Sequence, residues 1–224
     1  MPKNSNKEKG IFLKKVGLYV AILSGIATII GVMYSIFCTK DYSEDIKKAV
    51  VEIKTQRFVM EQMPDSLFNN PTIKQSREIQ QKILSLKDRI DNIDFAPREN
   101  EDTPTGIYRY LKEMENFEAM CNEVITFNDK FSNFVSSNPQ YSTMFNLSEY
   151  KKKTDREQEL ISVIISGIQA SHGKGISPEK KLNQIKRALN SKEMLDFLQI
   201  RTDVLLQVFD YMNKIQKEVK LNYN

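Results

Sequence analysis

The sequence predicts an all-α protein: a single N-terminal transmembrane helix followed by an elongated antiparallel helical bundle with coiled-coil-like packing. Three observations carry that expectation. An uncharged run fills Val16–Thr39. Beyond it, apolar residues recur at steps of three and four, with no convincing alternating strand. Between the periodic segments stand Pro, Gly and Asn breaks, several of them with helix-capping chemistry.

The uncharged run, VGLYVAILSGIATIIGVMYSIFCT, holds 24 residues. As a helix rising about 1.5 Å per residue it covers about 36 Å, enough for a hydrocarbon core of about 30 Å. Tyr19 and Tyr34 lie near its two ends, where amphipathic rings favour the membrane interface. A cleaved signal peptide fits less well. Its apolar region is normally about 7–15 residues long and ends in small residues, whereas this run ends Ser35-Ile36-Phe37-Cys38. The expected organisation is therefore a basic N-terminus over 1–15, a membrane helix over 16–38 and a helical-bundle domain over 39–224. Loops are expected near 64–72, 97–105, 136–145 and 172–177.

Charge orients the anchor. Five lysines precede the span, Lys9, Lys14 and Lys15 among them, whereas Lys40, Lys47 and Lys48 after it are mixed with Asp41, Glu44 and Asp45. The positive-inside rule then puts the N-terminus in the cytoplasm and the body outside the cell membrane; a reversed anchor would leave the body cytoplasmic. The span contains no Asp, Glu, Lys, Arg or His, which disfavours an ion-driven motor or transporter. Gly17, Ala21, Gly25 and Thr28 share one face. Small side chains let membrane helices approach closely, so this face is the candidate helix–helix interface.

In the body, Ile46, Val50, Ile53 and Met60 predict a helix over 42–63, ended by Pro64. Asn69-Asn70-Pro71 breaks the chain. Ile79, Ile83, Leu86, Ile90 and Ile93 then recur at heptad steps. PRENEDTPT, from Pro97, reads as a loop. A long helix follows on Ile107, Leu111, Met114, Phe117, Cys121, Val124, Phe127, Phe131 and Phe134, a stripe that reads as bundle core. Asn146 and Glu149 form a capping-box pattern, with Phe145 and Tyr150 as an aromatic staple. That helix runs through Leu160, Ile161, Ile164, Ile165 and Ile168 to Gly173 and Gly175. Ser177-Pro178-Glu179 starts a shorter helix on Leu182, Ile185 and Leu189. Asn190 and Glu193 suggest the cap of the last helix, which carries Leu195, Leu198, Leu205, Val208, Met212, Ile215 and Val219.

The net charge of +4 belongs to the flank. Residues 1–40 hold six lysines against Glu8, and the rest holds 27 basic and 28 acidic residues, so no basic body argues for nucleic acid. One His excludes a multi-histidine metal site, and two Cys cannot build a disulfide scaffold. Gly167 to Gly175 departs from a phosphate-binding loop, with five residues between Gly167 and Gly173 and Gly175 after Lys174; it reads as a helix–helix turn. His172 beside it reads as a helix C-terminal residue. Lys151-Lys152-Lys153, followed by Asp155, Glu157 and Glu159, reads as a solvated face. Tyr141, Met144 and Phe145 are a staple or a docking spot. Cys121 reads as a core thiol, and Cys38 stands at the membrane exit.

No catalytic residue, cofactor, metal, nucleic acid or small-molecule substrate is expected. The expected function is a non-enzymatic, membrane-anchored helical interaction or sensor module working in an oligomer or a larger membrane complex. Its expected partners are the lipid bilayer and either a second copy or another membrane protein. Two alternatives stand beside it: a membrane-perturbing effector of a bacterial defence or toxin-like system, and a membrane-bound enzyme whose site the sequence does not reveal.

Overall fold

Periodic apolar stripes become helices that pack stripe against stripe. In the computed structural model, which describes residues 40–93, 103–170, 173 and 175–223, six α-helices are seen: α1 (Ser43–Thr55), α2 (Pro71–Asn92), α3 (Thr103–Ser137), α4 (Leu147–Gln169), α5 (Pro178–Leu189) and α6 (Lys192–Tyr223). No strand occurs among the described residues. The body, Tyr42–Asn224, is one packed unit. Among the described residues no helix is long and apolar enough to cross a membrane. The expected anchor over 16–38 lies outside the described residues, as do Lys9, Lys14, Lys15 and Cys38.

Helix α6 is the organiser. It packs against α1, α2 and α4, and Met194, Leu198, Leu205, Val208, Met212, Ile215 and Val219 on it are all buried. Its steps of three and four keep one continuous face inward along the whole helix. Between α2 and α6 the core is polar. Gln216 Nε2 donates to Ser76 Oγ and to Gln80 Oε1, both at 2.9 Å, and Gln80 Nε2 donates to Asn213 Oδ1 at 2.7 Å. These pairings run in opposite chain directions, so α2 and α6 are antiparallel. On α2, Ile83, Leu86 and Ile90 of the expected heptad are fully buried, while Ile79 is only half-buried.

Several boundaries follow the capping chemistry. Asn70 Oδ1 accepts from the amides of Thr72 (2.9 Å) and Ile73 (3.3 Å), with Pro71 in the first helical position. Asn146 Oδ1 accepts from the Glu149 amide at 3.0 Å, and the Phe145 and Tyr150 rings meet at 5.5 Å as the expected staple. Phe145 also packs on Phe131 and Tyr211, half-buried against the core; Met144 stays exposed. Gly175 takes a left-handed conformation, φ +84°, in the turn between α4 and α5. His172 and Lys174 in that turn lie outside the described residues.

Four expectations need correction. The first helix ends at Thr55 rather than near residue 63. Gln56 takes an extended conformation, and after it Phe58 and Met60 are half-buried while Arg57 and Val59 are exposed. That alternation has the period of two of an extended chain, and Phe58 reaches Phe209 with ring centroids 4.8 Å apart. Arg77 donates to the Glu61 carbonyl and secures the strap on α2. The loop near 64–72 contains a 3-10 turn, Asp65–Asn69, anchored by buried Leu67. The loop near 136–145 is shorter than expected, because α3 runs to Ser137 and a 3-10 turn fills Pro139–Met144. Finally, Ser191 and not Asn190 caps α6: the Met194 amide donates to Ser191 Oγ at 3.2 Å, while Asn190 Nδ2 donates back to the Lys186 carbonyl at the end of α5.

Candidate functional site

Three polar residues stand where the helical stripes call for apolar ones. On α3, Asn128 continues the steps of Phe117, Cys121 and Val124; on α4, Glu157 stands between Tyr150 and Ile161; on α6, Arg201 stands between Leu198 and Leu205. Packing the stripes together therefore brings these groups into one buried centre. Arg201 and Glu157 are both 0% exposed. Arg201 Nη1 donates to Glu157 Oε2 and to Asn128 Oδ1, each at 3.3 Å. Asn128 Nδ2 donates to Glu157 Oε2 at 2.9 Å, and Tyr150 Oη donates to Asn128 Oδ1 at 3.1 Å. The Phe127 ring lies 5.8 Å from the guanidinium carbon and covers one of its faces.

The expected solvated face over 151–159 is corrected at one position. Lys151, Lys152, Asp155 and Glu159 are exposed, but Glu157 turns inward. The physical reason is helical: Tyr150, Glu157, Leu160, Ile161, Ile164 and Ile168 fall on one side of α4 and are buried together. Lys153 is half-buried between Glu149 (3.5 Å) and Asp203 (3.6 Å), which ties α4 to α6 at the surface.

The centre is electrostatically costly. Burial holds the Glu157 carboxyl above the usual carboxylate range, although the Arg201 charge and the Asn128 bond pull it down. Burial likewise raises the Tyr150 hydroxyl, and it raises the Cys121 thiol, with Glu157 and Glu118 adding to the effect. Cys121 is thus held as the neutral core thiol read from the sequence. A cavity of about 50 Å³, bordered by Asn128, Asp129, Thr154, Asp155, Glu157 and Gln158, lies on the outer side of the centre. Among the described residues no group of three His, Cys, Asp or Glu is placed to hold a metal ion.

A second feature lies on the other side of Phe127. Along part of their length α2 and α3 part to leave an open groove of about 660 Å³. Ile79, Phe127 and Phe134 supply its apolar lining, and Glu78, Lys82, Asn122, Thr126, Lys130 and Asn133 are among its polar walls. At the Glu123 end, that carboxylate takes Lys82 and Arg89 (2.7 Å) of α2, and the bond from Lys82 holds Glu123 below the usual carboxylate range. Phe127 and Phe134, which read as core in the sequence, are buried in the structure and border the groove only at their edges.

Of the residues singled out from the sequence, Gly17, Ala21, Gly25, Thr28, Lys9, Lys14 and Lys15 lie outside the described residues. The structure instead assembles Asn128, Tyr150, Glu157 and Arg201, of which the sequence names only Tyr150, as a staple, and Glu157, as part of a solvated face. No family model, curated protein or solved structure matches the chain.

Two outcomes follow from the centre. Removing one member of a buried ion pair leaves the other charge uncompensated, so Arg201→Met should cost about 3–5 kcal/mol in urea denaturation, whereas Glu157→Leu/Arg201→Met should recover most of that loss. A double variant as unstable as the single one would contradict this. The second concerns pH. Because folding raises the Glu157 pKa, its contribution is fully present below the unfolded value of about 4.3 and is lost as pH rises through the folded value. Glu157→Gln should therefore cost more near pH 4 than near pH 7 in parallel denaturation curves, and equal costs at both would count against it.

Proposed function

We propose that the chain is a non-enzymatic helical interaction or sensor module, anchored in the cell membrane by residues 16–38 and working in an oligomer or a larger membrane complex. In this reading the N-terminus is cytoplasmic and the body faces out. The heptad positions Ile83, Leu86 and Ile90 pack in coiled-coil-like fashion within an elongated bundle, and the anchors meet through Gly17, Ala21, Gly25 and Thr28. The observation that carries the reading is the α2–α3 groove, an apolar-lined surface feature on a body that fully encloses its Arg201–Glu157 pair. Grooves between helices are where helical proteins receive ligands and partners. The uncharged run before the body supports the anchor.

The test is made on the full chain in its membrane. The protein should stay in the pellet on alkaline carbonate extraction, and protease added to intact spheroplasts should digest the body. Gly25→Ile should weaken cross-linking between anchors, while Ile22→Ala, off that face, should leave it unchanged. Release into the soluble fraction would overturn the anchor. Full protection of the body would reverse the orientation, and equal cross-linking of both variants would remove the small-residue face.

A further inference from the structure

Helix α5 carries a charge that the rest of the body does not. Its 12 residues hold Lys180, Lys181, Lys186 and Arg187 against Glu179 alone. The remainder of 41–224 holds 23 basic and 27 acidic residues. Leu182, Ile185 and Leu189 bury one side of the helix in the core. Lys180 and Arg187, seven residues apart, share the opposite side and are both exposed. Lys181 and Lys186 are half-buried on its two flanks, Lys186 over the Tyr110 ring at 5.6 Å. None of the four makes an ion pair among the described residues.

The place of α5 in the body gives this charge a partner. The helix ends two residues before α6 begins, so it lies at the N-terminal end of α6. Helix α1 and the strap after it run parallel to α6: Ala49 and Glu52 share a surface hollow with Asp196 and Ile200, Phe58 meets Phe209, and Lys217 reaches Glu61 at 3.8 Å. The start of α1 is therefore at the α5 end of the body. Only Lys40, Asp41 and Tyr42 separate the uncharged run from Ser43, a link of about 14 Å at full extension. With residues 16–38 in a membrane, that link holds the α5 end close to the bilayer. Two acids at the start of α1 are matched by their own lysines, Glu44 by Lys47 at 2.7 Å and Asp45 by Lys48 at 3.9 Å.

We infer that α5 rests on the anionic headgroups of the bilayer that holds the anchor, with Lys180, Lys181, Lys186 and Arg187 facing the negatively charged lipids. Lysines and arginines clustered on an amphipathic helix are drawn to the negative potential of a leaflet within about a Debye length, about 10 Å at 0.1 M salt. The contact is electrostatic and not an insertion, because the apolar side of α5 is occupied by the core. The inference rests on the anchor reading and names the surface that the body touches.

The experiment uses the full chain in lipid nanodiscs of phosphatidylcholine, alone or with about 30% phosphatidylglycerol. A fluorophore is placed on Asn183→Cys, an exposed site on α5, in a Cys38→Ser background; Cys121 is buried. Quenching by lipids with a nitroxide on the headgroup reads how close the label lies to the surface. Quenching should rise about twofold or more with the anionic lipid and fall back at about 0.5 M salt. Changing Lys180, Lys181, Lys186 and Arg187 together to Gln should abolish the rise. The same label on Ser136→Cys, exposed at the other end of α3 and about 39 Å along the helix from Tyr110, should not respond. Equal quenching in both lipids, a rise that survives salt or the four Gln substitutions, or an equal rise at Ser136 would overturn the inference. So would a label that ignores the anionic lipid and responds to an added oligonucleotide or acidic peptide. Alkaline carbonate separates this result from the anchor: a chain that stays in the pellet without the lipid response loses only the α5 contact, whereas a released chain loses both.

Discussion

The contact between Arg201 and Glu157 constrains the body more than any other. Taking both charges out of water costs several kcal/mol per ion, and the cost is offset only while the pair and its hydrogen-bonding neighbours stay in place. Those neighbours come from three helices: Asn128 from α3, Tyr150 and Glu157 from α4, and Arg201 from α6. A slide of α4 by one turn moves the carboxylate about 5.4 Å and leaves two uncompensated charges in the core. Apolar stripes alone tolerate such slides, since one leucine replaces another. The polar centre does not, and the hydrogen-bonded ladder of Ser76, Gln80, Asn213 and Gln216 applies the same constraint to α2 against α6.

The centre is also incompletely satisfied. Glu157 Oε1 and the Nε and Nη2 atoms of Arg201 have no hydrogen-bond partner among the described residues. Buried polar groups in that condition weaken a structure locally, so the point that fixes the helix register also stores a penalty. Phe127 joins it to the groove: its ring covers the Arg201 guanidinium at 5.8 Å and also lines the space between α2 and α3. The two features of the body are thus neighbours through one aromatic side chain.

Much of this fold was legible in the sequence, and the reasons are local. Steps of three and four gave the helices their inward faces, and Asn146 and Ser177-Pro178 gave two helix starts, because a cap acts over a few residues. The strap after Thr55 was missed because Met60 was assigned to a helical face; the alternation of Phe58 and Met60 with Arg57 and Val59 held the opposite signal. Ser191 was passed over for Asn190, although both are capping residues one position apart. The polar centre was missed for a different reason. Asp155 and Glu159 beside Glu157 suggest solvent, and only the position of Glu157 between Tyr150 and Ile161 marks it as buried. Reading stripes for their polar interruptions, at Asn128, Glu157 and Arg201, would have found it. The groove had no such signal, because divergence of α2 from α3 is a property of the assembled bundle.

The most direct test of the central claim is hydrogen exchange, read by mass spectrometry on the full chain in nanodiscs, for the parent and for Glu157→Gln. If the buried pair holds α3, α4 and α6 in one register, the substitution should speed exchange around Asn128, Glu157 and Arg201 together, as one cooperative unit. Acceleration confined to α4, with α3 and α6 protected as in the parent, would contradict the account and leave the apolar stripes as what sets the packing.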